Sequence, residues 1–209
     1  MNTSRDRIQR IYDRLAPDYD RIVGRGERLL LGDFRQAFGA ALRGDTLEIA
    51  IGSGLNLPYY TPAVRRAVGI DVSFGMLHQA RERAAALGLP IVLIQMDAQQ
   101  LGFRDGSFDT VAISLALCTV PDPAAALREA ARVCRPEGRI VLLEHVRSPV
   151  WPVALLQRLW TPIQERTLGC HLLRTTIDTA RELGFTIESE RDRLFGIFRL
   201  AIARPPDLK

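Results

Sequence analysis

The sequence is almost without lysine: Lys209 is the only one among 209 residues. The formal charge of +4 is therefore carried by arginine. Guanidinium groups suit contact with phosphate. An excess this small permits attraction to nucleic acid or an anionic membrane but requires neither, and a codon bias toward arginine explains it equally well. Cysteine is scarce too. Cys118, Cys134 and Cys170 form no CxxC pair. They read as reduced thiols, with no disulfide or zinc framework and no metal expected. No apolar run approaches the roughly 20 residues that span a bilayer. The opening Met1-Asn2-Thr3-Ser4-Arg5-Asp6-Arg7 is too polar for a secretory signal, which makes a cytoplasmic protein the default expectation. Repeats, low-complexity tracts and linkers are absent. No basic–aromatic stripe offers a platform for stacked bases, which argues against a nucleic-acid partner.

What is present is a globular composition, 47% hydrophobic and 25% charged, suited to one domain. In Ser4 to Leu15, the residues Ile8, Ile11, Tyr12 and Leu15 make an amphipathic helical stripe among arginines. Ser4 can cap that helix and Pro17 ends it. A second helix is expected over 26–42. Strands then alternate with helices: strands at 46–51, 67–71, 91–95, 108–114 and 138–144, helices at 73–87 and 123–134, and a short helix near 58–66. Such alternation predicts parallel βαβ units with helices on both faces. Residues 145–175 interrupt the winding and read as a segment covering a site. A helix at 174–183 and a closing hairpin, 185–190 with 194–203, complete the pattern.

The chemistry concentrates in Leu47-Glu48-Ile49-Ala50-Ile51-Gly52-Ser53-Gly54. A strand runs into a glycine bend that lets a ligand approach the backbone. The next strand ends on Asp71, where a carboxylate can accept from both hydroxyls of a ribose. A dinucleotide fingerprint needs a small residue at 57, where Leu57 stands. Glu48 would repel a pyrophosphate and favours a cationic nucleoside, which argues against a nicotinamide oxidoreductase.

Leu47-Glu48-x-x-x-Gly52-x-Gly54 resembles the first motif of the class I S-adenosylmethionine-dependent methyltransferases. Met96-Asp97-Ala98, Ser107-Phe108-Asp109-Thr110-Val111 and Arg135-Pro136-Glu137-Gly138 are similar to their later motifs. The family usually has glycine where Ala50 stands; a methyl group there is tolerated at negative φ. The resemblance implies a Rossmann-like α/β fold: a mostly parallel seven-stranded sheet with helices on both faces and an N-terminal amphipathic helix. It divides the chain into a helix and lid loop over 1–24 and a cofactor domain over 25–209. It also implies S-adenosylmethionine held by Glu48, Ala50, Gly52, Gly54, Asn56, Asp71, Val72, Met76, Asp97, Ala98 and Leu115.

Within the superfamily two groups are resembled. Ala16-Pro17-Asp18-Tyr19-Asp20 matches the quinone C-methyltransferase type. The bacterial phospholipid N-methyltransferase type is matched by Gly54-Leu55-Asn56-Leu57-Pro58-x-Tyr60, Ser114-Leu115-x-Leu117-Cys118-Thr119-Val120, Leu143-Glu144-His145-Val146 and Leu168-Gly169-Cys170-His171 with Arg174. The second resemblance implies methylation of phosphatidylethanolamine toward phosphatidylcholine, by a monomer on the inner face of the cell membrane. Tyr19, His145 and Arg174 are then the expected catalytic residues, with Tyr12, Arg147 and His171 joining Tyr19 and Arg174 around the substrate. The N-terminal helix is expected to meet the anionic membrane surface. The rivals are a methyltransferase for a small amine, thiol or quinone precursor, and a non-catalytic nucleoside-binding module.

Overall fold

A computed structural model describes residues 4–206. Seven strands form one sheet: β1 (Gly44–Ile49), β2 (Val64–Asp71), β3 (Ile91–Gln95), β4 (Phe108–Ser114), β5 (Cys134–His145), β6 (Thr186–Arg193) and β7 (Phe198–Arg204). Their order is β3-β2-β1-β4-β5-β7-β6. The first five run parallel, and β7 enters antiparallel between β5 and β6. This is the class I methyltransferase arrangement implied by the motifs.

Seven α-helices accompany the sheet: α1 (Ser4–Leu15), α2 (Arg25–Leu31), α3 (Phe34–Ala41), α4 (Phe74–Leu87), α5 (Pro123–Val133), α6 (Trp151–Thr167) and α7 (Thr176–Glu182). Strand periodicity sends alternate side chains to opposite layers. Ile140 and Leu142 join the core under α5 and α7, whereas Val141 and Leu143 join the core under α3. Burying both faces of a central strand is why β5 carries the apolar run Ile140-Val141-Leu142-Leu143. Local chemistry sets the helix ends. Ser73 accepts from Met76 N at 3.1 Å to start α4, and Gly88 closes it at φ +63°. Asp122 accepts from Ala125 N to start α5.

Two expectations need correction, and the covering segment gains a structure. The single helix over 26–42 is two, parted at Gly32, whose φ of +56° is a left-handed turn no continuous helix contains. The helix near 58–66 is only the 3-10 turn Leu57–Tyr59, because β2 already begins at Val64. Residues 151–167 are one continuous helix that carries Pro162 inside it.

Candidate active site

Parallel sheets bind ligands beyond the carboxyl ends of the strands, where the strand order reverses. Here the order turns between β1 and β4. At that point lies a cleft of about 900 Å³, part of it open to solvent. Glu48, Ala50, Gly52 and Asn56 from the first motif line it, together with Asp71, Val72, Met76, Asp97, Ala98 and Leu115. Gly54 does not line it. A side chain at that position would strike Leu57 and Ala80, so Gly54 lets the bend pack on α4.

The bend is strained. Ala50 has φ +54° and Leu115, at the end of β4, has φ +52°. The negative φ that would have made Ala50 innocuous is not found. L-residues pay about 1–2 kcal/mol in this region, and such outliers cluster at functional sites. Gly52 follows at φ +58°, with no atom within 4 Å of the place a Cβ would take. That open space faces the cleft.

Asp71 is fixed from both sides. One carboxylate oxygen accepts from Gly52 N and the other from Ser73 N, each at 2.9 Å. Each oxygen keeps a lone pair for a ligand hydroxyl. Burial lifts its pKa to about 6 despite those two bonds. Glu48 is buried, and burial raises its pKa against the bonds it accepts from Tyr60 Oη at 2.5 Å and Asn56 Nδ2 at 2.6 Å. Arg35 extends this network, donating to Asn56 Oδ1 and Glu27 Oε2. Asp97 accepts from Gln99 N and faces Arg5 at 3.5 Å.

Glu27 and Arg35 both line the cleft and were missed in the sequence, because the α2–α3 break that orients them depends on tertiary packing. Asp13 was missed as a tether. It accepts from Ser73 Oγ at 2.6 Å and Gly75 N at 3.0 Å, docking α1 on the start of α4. In consequence Ile8 and Tyr12 face the cleft rather than solvent, and Arg7 reaches the carbonyl of Glu165 on α6. The apolar stripe expected to dip into a membrane is half-buried, with Ile8 and Tyr12 on the cleft wall. Tyr19 lines the cleft beside Tyr12, their ring centroids 6.1 Å apart. Asp20, bonded to Ser53 Oγ and paired with Arg83, holds the Tyr19 loop to the glycine bend. Burial, reinforced by Glu27, keeps the Tyr19 hydroxyl above its usual range, so it stays neutral.

The other expected acceptor residues lie outside the cleft lining. His145 Nε2 sits 3.1 Å from Cys170 Sγ, turned toward sulfur. A hydrogen bond from Cys118, joined by His145, brings the Cys170 thiol down to about 5 against the effect of burial. Burial works to lower the His145 pKa, but the bond to Cys170 prevails and holds it near 8. His171 pairs with Glu165 at 2.6 Å on the surface. Arg147 is exposed. Arg174 Nη2 donates to the carbonyl of Val120, a cleft residue, at 3.2 Å. Its Nε is buried without a partner, and among the described residues no carboxylate pairs with it.

The cleft suits a cationic nucleoside: its wall carries Glu48, Asp71 and Asp97, and Gly52 leaves the backbone open before Asp71. Comparison with known proteins agrees. Residues 47–142 match the family model described as a methyltransferase domain. The chain is 39% identical over 67% of its length to a phosphatidylethanolamine N-methyltransferase of Cereibacter sphaeroides, covering 71% of that protein. It is 33% identical over 70% of its length to a demethylmenaquinone methyltransferase of Paenarthrobacter aurescens, of which it spans only 58%. The crystal structure of the [4+2]-cyclase SpnF superposes with a TM-score of 0.76 at 18% identity, over 98% of this chain and 97% of that one. At that identity the likeness speaks for the fold alone.

Proposed function

Since the chain belongs to the S-adenosylmethionine-dependent class I methyltransferases, we propose that its acceptor is the amine of a phosphatidylethanolamine headgroup. The observation that carries this reading is Arg174. A guanidinium beside the cleft wall, with one nitrogen buried and unpartnered, lacks an anion. A buried donor nitrogen without a partner is costly, and a headgroup phosphate would accept from it. A quinone ring would not.

S-adenosylmethionine, when bound, supplies an electrophilic methyl group on a sulfonium. Asp71 accepts from its ribose hydroxyls and Asp97 stands beside Ala98 for the adenine. The neutral Tyr19 and Tyr12, both on the cleft wall, would offer aromatic rings to a cationic centre bound there. An amine of pKa near 10 must lose its proton before its lone pair attacks. Neither expected acceptor is poised to take it: Tyr19 is a neutral phenol and His145, outside the cleft lining, is engaged with Cys170. The proton therefore leaves to water, and the chain contributes chiefly positioning.

A lipid acceptor also accounts for α6. Its residues Trp151, Leu155, Leu156, Leu159, Trp160 and Ile163 share one face and are exposed, Trp151 by 76%. The opposite face is anchored by Gln157, which bonds the chain at Val146, Ser148 and Leu172. The β6–β7 turn adds exposed Leu194 and Phe195, tied to the start of α6 through Ser148. Tryptophan and leucine over exposed Arg158 and Arg166 fit the interface of an anionic bilayer. Among the described residues no helix is long and apolar enough to cross a membrane. The reading is peripheral attachment through α6, with α1 as lid.

The quinone reading keeps support from the demethylmenaquinone methyltransferase relative. Incubation with methyl-labelled donor and vesicles of phosphatidylethanolamine that also carry a demethylated quinone separates the two. Label in mono-, di- and trimethylated headgroups is the expected result. Label only in a demethylated quinone precursor, or in neither, overturns the lipid assignment.

A further inference from the structure

We propose that Cys118, His145 and Cys170 form a binding site for a soft metal cation, Zn²⁺ or Cu⁺, that clamps the segment after α6 to the wall of the cleft. The three donor atoms Sγ, Nε2 and Sγ all lie within 4.8 Å of one another. They arrive from three places: the loop after β4, the last residue of β5 and the turn beyond α6. Sequence spacing of 27 and 25 residues hid them, which is why the cysteines read as scattered. A tetrahedral cation about 2.3 Å from sulfur and about 2.0 Å from nitrogen needs donors spaced roughly 3.3–3.9 Å apart. Small shifts of side chains already this close, with a slight widening of the 3.1 Å Cys170–His145 pair, would meet that demand.

The surroundings preorganise the set. His171 N donates to the carbonyl of Cys118 at 2.9 Å, linking the two cysteine loops through backbone. Cys170 N is held by the carbonyl of Gln164, at the end of α6. Both cysteines are buried and free of any disulfide. Two thiolates and an imidazole select soft or borderline cations over Mg²⁺ or Ca²⁺. His145 Nδ1 and the neighbouring Glu144 Oε2 are buried without partners, and buried polar groups left unpaired mark an incomplete site. Three protein ligands leave a fourth position for water or another donor. Residues Thr119, Val120 and Pro121, directly after Cys118, line the cleft. A cation here would fix that wall against the covering segment. The inference does not depend on the identity of the methyl acceptor.

The test uses the full chain, stripped of metal and kept reduced. Titration with Co²⁺ should saturate at one equivalent, with the visible bands of a tetrahedral ion and thiolate-to-cobalt charge transfer in the near ultraviolet. X-ray absorption of the Zn²⁺ form should count two sulfur neighbours. Hydrogen exchange in 115–121 and 168–174 should slow when Zn²⁺ is added. Cys118→Ser and Cys170→Ser should each weaken Zn²⁺ binding by more than ~100-fold, while Cys134→Ser, which lies at the far end of β5, keeps it. The spectrum of the unaltered chain decides even if a variant fails to fold. No stoichiometric uptake, a cobalt spectrum without thiolate charge transfer, or equal loss in Cys134→Ser would overturn the assignment. So would a Cys118–Cys170 disulfide that forms in place of metal binding.

Discussion

Asp71 gives the sharpest prediction, because its geometry and its ionisation point the same way. Its two oxygens are already held by Gly52 N and Ser73 N and have one acceptor position each to spare. Two charge-assisted bonds to a ribose are worth roughly 1.5 kcal/mol apiece at the low end. Asp71→Ala should therefore weaken binding of S-adenosylhomocysteine, the product of methyl transfer, by about 3 kcal/mol, or roughly a hundredfold. The pKa adds a second test. Burial raises Asp71 from 3.8 to about 6 in the free protein, and binding requires the carboxylate. Affinity should then fall about tenfold per pH unit below 6 and be flat above 7. Apo stability moves the other way. Between pH 3.8 and about 6 the folded state holds a proton that the unfolded chain has released, so this group lowers stability as pH rises through that window. Calorimetry from pH 5 to 8 on the wild type and Asp71→Asn measures both effects. An unchanged affinity in the alanine variant, or the same pH slope in the asparagine variant, would refute the reasoning.

Ala50→Gly removes a methyl group held at φ +54°. The relief of about 1–2 kcal/mol is partly offset by the greater freedom of unfolded glycine, so a gain of up to ~1 kcal/mol in thermal stability is expected; a clear loss would mean the bend is not strained. Asp13→Ala deletes the tether of α1 to Ser73 and Gly75. Binding of S-adenosylhomocysteine should drop up to ~10-fold, in line with the loss of a helix cap, with vesicle binding intact; the reverse pattern would restore α1 as the membrane element. Leu156→Glu combined with Trp160→Glu removes two exposed apolar anchors worth at least about 1.5 kcal/mol each. Vesicle partition should fall about 100-fold without a change in cofactor affinity, and unaltered partition would clear α6 of the role.

Much of the fold was written locally. Strands 91–95 and 108–114 keep their predicted bounds because period and flanking turns agree there. Much of the candidate cleft was legible for the same reason: Glu48, Gly52, Asn56 and Asp71 sit in short motifs at strand ends, and the sheet order carries them to one cleft. What was hidden depends on distance in the chain. A stripe such as Ile8-Ile11-Tyr12-Leu15 reads alike whether it meets lipid or protein, and Asp13 decides between them only once Ser73 is beside it. Residues 145–175 read only as a covering segment, since Pro162 stands inside α6, whereas Pro152 in its first turn fits a helix start. Arg35 and Glu27 reach the cleft through the break at Gly32. His145, an expected catalytic residue, faces Cys170 only because the turn after α6 brings that cysteine beside it.

The central claim is that one cleft, between the ends of β1, β2 and β4, seats the methyl donor with its methyl group toward Tyr19. A crystal structure with S-adenosylhomocysteine tests this directly. Both ribose hydroxyls should lie within hydrogen-bond reach of Asp71, with the adenine beside Asp97 and the sulfur facing Tyr19. A nucleoside bound elsewhere, or a ribose turned from Asp71, would contradict the account.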